Sequence, residues 1–233
     1  MLNKIQHRQI MTNILKDIYT DIEISSLLGF KGGTVAYFFY QLPRFSVDLD
    51  LDLLKISSEN KELVFSKIER IIKKYGKIKD NRIKRFTIFS LLSYGSAEHN
   101  IKIEISTRKN NNKYELRKYL GISMLVAKKE TLFANKLAAL CNRKEIAMRD
   151  IYDIYYFTKN HWDIDEDVLK FWTGNSISKQ LGISIKFIEK ISDNSILKGL
   201  GEVLEDKEKV WARENLKKEV LFALRNYKES LKS

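Results

Sequence analysis

The residues best suited to chemistry lie in one short stretch, residues 44–54, where three carboxylates occupy every second position. A β-strand has a side-chain period of two, so Asp48, Asp50 and Asp52 would share one face and apolar residues the other. Like charges on one strand face cost stability unless cations neutralise them. Mg²⁺ prefers carboxylate oxygens and often bridges them to phosphates. The stretch therefore predicts a metal site, and an edge strand with a solvated acidic face is the alternative.

A second stretch, residues 100–106, has the same alternation, with isoleucines on one face and polar residues on the other. Glu104 lies on the polar face. If this strand shares a sheet with residues 44–54, Glu104 can lie beside Asp48 and Asp50 as a third carboxylate. A glutamate that is merely exposed is the alternative.

Two adjacent glycines, Gly32 and Gly33, precede a short apolar helix that must end before Pro43. A glycine pair that opens a helix leaves backbone N–H groups free to meet a phosphate, and the missing side chains permit close approach. These residues predict a phosphate-binding turn, and an ordinary turn is the alternative.

The overall charge indicates which partners the chain attracts. The 233 residues carry a formal net charge of +12. A basic chain attracts polyanions, while a local acidic strand can hold metal. Residues 73–85 are especially basic and are either solvated surface or a contact for phosphate backbone. A lysine-rich composition of the source genome is the alternative explanation of the charge.

Several classes of function are disfavoured. The one cysteine, Cys141, cannot form an intrachain disulfide, and it fits a reducing compartment. The three histidines have no metal-ligand spacing, which argues against zinc. No apolar run reaches transmembrane length and the first residues lack the apolar segment of a secretory signal, so we expect a cytoplasmic protein without a membrane role.

The periodicity predicts which elements position these residues. It favours helices over residues 3–28 and 60–79, a strand over 83–94, and a turn at 95–99 that leads into the strand at 100–106. Beyond residue 128 nearly everything has helical period.

One lysine in the helical part is unusual. Lys136 lies among alanines and leucines on a core-facing helix, and Asp150 and Asp153 lie one turn apart on the next helix. A structural ion pair with Asp150 and a contact with a bound phosphate explain Lys136 equally well.

Taken in order, five motifs resemble the AbiEii/AbiGii toxin family of minimal nucleotidyltransferases in the DNA polymerase β-like superfamily. The resemblance covers residues 25–157. The motifs are Lys-Gly-Gly-Thr at 31–34, Arg-Phe-Ser-Val-Asp-Leu-Asp-Leu at 44–51, Ile-Glu-Ile at 103–105, Lys-Leu-Ala-Ala-Leu at 136–140 and Arg-Asp-Ile-Tyr-Asp at 149–153.

The resemblance implies an α+β chain. A polymerase β-like nucleotidyltransferase domain at residues 1–118, a mixed sheet with flanking helices, would precede a C-terminal helical bundle at residues 119–233. Members of the family act as toxins in toxin–antitoxin or phage-defence systems. We therefore expect transfer of NMP from an NTP to an RNA acceptor, tRNA by analogy with relatives, and a cognate antitoxin protein.

The resemblance also implies roles for particular residues. Asp48, Asp50 and Glu104 would hold Mg²⁺, or Mn²⁺ in its place, and together with Lys136 would be catalytic. The nucleotide-binding residues would be Gly32, Gly33, Thr34, Arg44, Ser46, Lys136 and Asp150. Asp52 lies farther from the glycine pair, so we expect it to be solvated or to contact the metal ligands without binding the metal itself.

Two departures from the family pattern leave other functions open. Many superfamily members have Gly-Ser where this chain has Gly32-Gly33, and the third acid is Glu104 rather than an aspartate. A nucleotide- or RNA-binding module with a decayed site is one alternative. A nucleotidyltransferase that acts on a small molecule or a protein is another.

Overall fold

The structure is a computed structural model that describes residues 3–95, 99–142 and 147–231, apart from the side chain of Asn142. The chain divides into two compact units. The first contains residues 1–41, 45–109 and 113–127, and the second contains residues 42–44, 110–112 and 128–233.

The first unit is built on a seven-stranded mixed sheet with the strand order β3-β4-β5-β2-β1-β7-β6. Its strands are β1 (Leu28–Lys31), β2 (Asp48–Leu53), β3 (Lys77–Lys84), β4 (Thr87–Tyr94), β5 (His99–Ser106), β6 (Tyr114–Tyr119) and β7 (Ile122–Ala127). The pairs β2–β5 and β1–β7 are parallel, and the other neighbouring pairs are antiparallel.

Three helices accompany this sheet: α1 (Lys4–Thr20), α2 (Gly32–Phe39) and α3 (Ser58–Ile72). A short 3₁₀ turn, Ser25–Leu27, leads into β1. The apolar side of α1 is buried, including Ile14 and Ile18, and that of α3 is buried through Val64 and Ile68. The two helices contact each other and cover the apolar side of the sheet.

The period-two pattern of β2 explains why its acids lie together. Leu49, Leu51 and Leu53 are fully or almost fully buried. Burying each such leucine side chain is worth about 1.5–3 kcal/mol. This gain holds the strand in one register, because a slip by one residue would turn the leucines outward and the carboxylates into the core.

The second unit is helical, with α4 (Lys129–Asn142), α5 (Met148–Lys159), α6 (Glu166–Thr173), α7 (Ile177–Glu189) and α8 (Asp206–Ser230). α4 contacts α5, α6 and α7, and α8 packs on α5 and α7. Phe157 stacks on Trp162 with ring centroids 4.1 Å apart, and Phe133 meets Phe157 edge-on. This aromatic cluster anchors the bundle core.

The mixed α+β architecture with a following helical bundle is confirmed, and three details differ. The strand expected over residues 83–94 is wrong as one element, because the chain turns at residues 85–86 and forms the hairpin β3–β4. The helix expected over 60–79 ends at Ile72, and β3 begins at Lys77. Residues 96–98 of the expected turn lie outside the described residues.

The first unit also extends beyond the predicted boundary at residue 118. β7 pairs with β1 in parallel, and β6 pairs with β7. The sheet thus keeps the chain in this unit through Ala127.

None of the helices in the part of the chain that the structure describes combines the length and apolarity needed to cross a membrane.

The close approach of Gly76 to β4 gives a stability prediction. A Cβ at this position would overlap the backbone carbonyl oxygen of Ser93, which is held in the β3–β4 ladder. We expect Gly76→Ala to lower the free energy of unfolding by about 1–3 kcal/mol, the usual cost of overpacking. Urea denaturation followed by circular dichroism measures this. Gly201→Ala is the control, because its Cβ would meet ordinary contacts at 3.4 Å or more.

Candidate active site

The parallel pairing of β2 with β5 brings the predicted carboxylates together. Asp48 lies opposite Lys102 and Asp50 lies opposite Glu104 in the register of the two strands. Side chains of paired residues point to the same face of a sheet. Glu104 therefore lies on the same face as Asp48 and Asp50, as the alternation in the sequence predicts.

Lys102 lies among these acids, and its role was not predicted from the sequence. Its Nζ is 3.0 Å from Glu104 Oε2 and 3.6 Å from Asp48 Oδ2. Burial disfavours its charge, but Asp48 and Glu104 outweigh burial and raise the pKa of the ammonium. Lys102 therefore stays protonated and places a positive charge beside Asp48 and Glu104, two of the predicted metal ligands.

Asp50 is a carboxylate whose charged form is disfavoured in the folded protein. Burial, and then the neighbouring charge of Asp48, raise the pKa of Asp50 above its ordinary value, although Lys102 and Lys31 oppose the shift. The ionised form of Asp50 therefore costs free energy in the folded protein. A cation bound at this carboxylate would remove that cost.

Gly32 lies directly against Asp50. A Cβ on Gly32 would come within 2.5 Å of Asp50 Oδ2, and the residue has a φ of +82°, which side-chain-bearing residues rarely adopt. Glycine at 32 is thus required both by the space beside the carboxylate and by the turn from β1 into α2.

The turn opens α2 next to the carboxylates. Lys31, the N-cap residue, makes no side-chain hydrogen bond to the first turn. Thr34 donates a hydrogen bond to the Asp48 carbonyl, and its Oγ1 lies 2.8 Å from Ser46 Oγ. Both hydroxyl side chains are buried. They join α2 to the start of β2, while the phosphate contacts predicted for Gly32, Gly33, Thr34 and Ser46 stay predictions.

Asp52 differs from the other two aspartates, and the expectation that it is solvated is wrong. It is fully buried, its Oδ1 is 2.6 Å from Lys31 Nζ, and Tyr114 donates a hydrogen bond to Oδ2. The ring of Tyr114 occupies the space where Gly29, the β1 partner of Asp52, would carry a Cβ. Asp52 therefore stabilises the pairing of strands, and its hydrogen-bonding capacity is committed to the protein.

The donor chemistry fits a magnesium or manganese ion. Within residues 3–95, 99–142 and 147–231, no three acidic, histidine or cysteine side chains lie close enough together to hold a metal. Asp48 and Asp50 nevertheless offer two carboxylates on one strand face, and Mg²⁺ is often held by one or two carboxylates together with water and substrate phosphates. Glu104, held by Lys102, stays a predicted third ligand.

The remaining predicted residues, Arg44, Lys136 and Asp150, lie in the second unit and form one buried ion cluster with Asp153. Lys136 Nζ is 2.6 Å from Asp150 Oδ1 and 2.8 Å from Asp153 Oδ2. Arg44 donates from Nε to Asp153 Oδ1 at 2.5 Å and from Nη2 to Oδ2 at 2.7 Å.

The charges of this cluster hold one another in place. Burial disfavours ionisation of Asp153, but Arg44 and Lys136 outweigh it and lower its pKa. Asp150 and Asp153 likewise raise the pKa of Lys136 against the effect of burial. The ion-pair interpretation of Lys136 is therefore observed, and the nucleotide contacts of Arg44, Lys136 and Asp150 stay predictions.

The Asp153 cluster gives a prediction for stability. Asp153→Asn would leave Arg44 and Lys136 buried without a full counter-charge, which costs about 3–5 kcal/mol of unfolding free energy at pH 7. A lowered native pKa stabilises the fold above the ordinary value of 3.8, and this stabilisation is lost as the pH falls through the native pKa. The difference between wild type and variant should therefore shrink below about pH 4.

Urea denaturation between pH 3 and 7 measures this difference. Glu189→Gln is the control, because the Arg225–Glu189 pair is 57% and 43% exposed. Such exposed pairs contribute about 1 kcal/mol at most. Equal effects of the two substitutions would show that the buried cluster does not stabilise the second unit.

Comparison with known proteins identifies a family and a shared fold. The model of the AbiEii nucleotidyltransferase toxin family of type IV toxin–antitoxin systems matches residues 14–209. No curated protein sequence matches the chain significantly.

Three solved structures share the fold. A candidate nucleotidyltransferase from H. pylori is 20% identical over 100% of this chain and 97% of its own, with a TM-score of 0.66. JHP933 from Helicobacter pylori is 19% identical over 100% and 97%, with a TM-score of 0.60. MenT4, a nucleotidyltransferase toxin from Mycobacterium tuberculosis H37Rv, is 17% identical over 97% and 99%, with a TM-score of 0.52. These identities show a shared fold alone, whereas the family match covers most of the chain, so the chain belongs to the AbiEii family of nucleotidyltransferase toxins.

Proposed function

We propose that this nucleotidyltransferase transfers a nucleoside monophosphate from an NTP to the end of an RNA, a tRNA by analogy with relatives, with the help of a divalent metal ion. The observation that carries the proposal is the parallel register that sets Glu104 opposite Asp50, with Gly32 leaving space at the Asp50 carboxylate. A solvated acidic face needs neither the partly buried setting of Asp50 nor the absence of a side chain beside it.

The reaction exchanges one phosphorus–oxygen bond for another. The acceptor hydroxyl forms a bond to the α-phosphorus, the bond from the α-phosphorus to the bridging oxygen breaks, and pyrophosphate leaves with that electron pair. A bound divalent metal would supply charge stabilisation for the entering and leaving oxygens.

The chain's own residues would orient these groups. Asp48 and Asp50 would hold the metal, and the N–H groups at Gly32 and Gly33 would receive the leaving phosphates at the start of α2. Glu104, whose carboxylate lies beside Lys102, would accept the proton of the acceptor hydroxyl. Lys102, 3.0 Å from Glu104 Oε2, would hold this carboxylate in position until the substrates arrive.

The family supports a biological setting as well. Its members belong to type IV toxin–antitoxin systems, which supports a cognate antitoxin for this chain. The net charge of +12 supports an acceptor that is a polyanion rather than a small neutral molecule.

The transferase activity is tested with labelled NTPs, Mg²⁺ and total tRNA. We expect label on the RNA, and Asp48→Ala should reduce its rate about 1,000-fold or more, because the metal contributes several kcal/mol to transition-state stabilisation. Glu214→Ala, which removes an exposed carboxylate on α8, should leave the rate unchanged. Transfer that survives Asp48→Ala in a folded protein would disprove the mechanism, and no transfer by wild type to any RNA would disprove the acceptor.

A pair of substitutions separates the catalytic carboxylate from the structural one. Asp50→Asn should abolish transfer and raise the melting temperature in metal-free buffer at pH 7, because the charge of Asp50 is disfavoured by burial and by Asp48. Asp52→Asn should instead lower the unfolding free energy by about 1–3 kcal/mol through its contacts with Lys31 and Tyr114.

Folded Asp52→Asn protein should retain most of its activity. Differential scanning calorimetry and the labelling assay, applied to both variants, measure the two effects. Equal loss of activity in both variants would mean that the assignment of Asp50 and Asp52 is wrong.

A further inference from the structure

An aromatic side chain lies beside the carboxylates, on the same face of the sheet. In the antiparallel pair of β4 with β5, Phe89 lies opposite Glu104, and in the pair of β3 with β4, Arg82 lies opposite Phe89. Paired residues share a face, so one row runs across the sheet from Asp50 through Glu104 and Phe89 to Arg82. With strands about 4.8 Å apart, the Phe89 backbone lies about 10 Å from that of Asp50.

Cations flank this aromatic ring and a second one at the end of the same hairpin. Lys84 Nζ lies 3.9 Å and Arg82 Cζ 5.8 Å from the ring centroid of Phe89. Arg85 and Arg108 lie 4.9 and 5.2 Å from the ring centroid of Phe86. We call these six residues the cation–aromatic surface: Arg82, Lys84, Arg85, Phe86, Phe89 and Arg108.

The cation–aromatic surface is accessible and strongly positive. Phe86 is 42% exposed, Phe89 is partly exposed, and all four cations are exposed. Asp80, on the same strand as Arg82, pairs with that arginine at 2.9 Å. The four cations outnumber Asp80 and Glu104, and Glu104 is paired with Lys102. Cations placed around two aromatic rings are the composition that binds single-stranded nucleic acid by stacking and phosphate pairing.

The position of the cation–aromatic surface relative to the carboxylates indicates which substrate it meets. Gly32 and Gly33 follow β1, on one side of β2, whereas Phe89 lies beyond β5 on the other side. In an in-line displacement, the entering and leaving oxygens lie on opposite sides of the phosphorus. If the leaving phosphates occupy the glycine turn, the acceptor hydroxyl arrives from the side of β5 and β4.

We propose that the cation–aromatic surface binds the single-stranded end of the RNA acceptor, with a base stacked on Phe89 and the adjoining phosphates paired with Lys84 and Arg85. This inference rests on the RNA acceptor of the proposed function. An incoming base takes the place of the Lys84 ammonium over the ring, and the freed ammonium then pairs with the phosphate. For the basic residues 73–85, the sequence is compatible with solvated surface or with phosphate contact, and the proposal adopts phosphate contact for Lys84 and Arg85.

Binding is measured apart from catalysis, with a fluorescent single-stranded RNA 12-mer of mixed sequence in EDTA, followed by anisotropy. Phe89→Leu keeps an apolar side chain on β4 but removes the stacking surface, so we expect about 5- to 150-fold weaker binding. Phe222→Leu, which alters a 63% exposed phenylalanine on α8, is the matched control and should bind like wild type.

The charges are tested through the salt dependence of the same binding. Lys84→Gln and Arg85→Gln should each reduce the slope of log K against log salt by about 0.7, the value for one phosphate contact on a single strand. Lys190→Gln, an exposed lysine at the end of α7, should leave the slope unchanged. These exposed lysine and arginine side chains can be replaced without disturbing the core, so the test does not depend on the folding of Phe89→Leu.

The outcomes separate this inference from the proposed function. If Phe89→Leu binds the RNA as tightly as wild type, and Lys84→Gln and Arg85→Gln keep the wild-type salt slope, the inference is overturned even if wild type labels tRNA. Weakened binding in these variants would support it even if no transfer is found. Duplex RNA of the same length binding as tightly as the single strand would overturn the stacking contact.

Discussion

Repulsion among carboxylates on one sheet face is the constraint on which the first unit depends. Parallel pairing of β2 with β5 crowds Asp48, Asp50 and Glu104 into two adjacent strands, where partial burial strengthens every charge interaction. Lys102 reduces the repulsion by lying between Asp48 and Glu104. Burial, and then the charge of Asp48, nevertheless raise the pKa of Asp50. Burial of the leucines on the opposite face stabilises the strand and offsets the unfavourable free energy of the crowded carboxylates. The carboxylates therefore keep an affinity for added positive charge.

The sequence predicted those parts of the site whose positions depend on the spacing of residues within one strand. Alternation placed Asp48 and Asp50 on one face, and a second alternation offered Glu104 as their partner. Lys102 lies two residues before Glu104 on the same strand, but it meets Asp48 only through the strand register. A lysine on a strand otherwise indicates a solvated residue, so its place among the acids was missed. The burial of Asp52 was missed for the same reason, because it is produced by Gly29 and Tyr114 from other strands.

Strands at the edges of the sheet were harder to predict than those at its centre. β3 is mostly exposed on both faces, so its residues show no apolar alternation, and its basic side chains resemble an ordinary charged surface. Charged side chains on an edge strand also discourage pairing with other chains. β6, at the other edge, has exposed Leu116 and little alternation, and for that reason the predicted boundary fell before β7.

The two units neutralise their charges in ways that have different consequences. In the second unit, Arg44 is 3% exposed and Asp153 is fully buried, so separating them for a ligand would leave buried charges unpaired. In the first unit, Lys102 is 35% exposed and can move into solvent while its charge stays hydrated. An ammonium that can leave at low cost allows a carboxylate pair to exchange one cation for another. The buried Arg44–Asp153 pair therefore suits a structural role, and the carboxylates beside Lys102 suit a site that exchanges one cation for another.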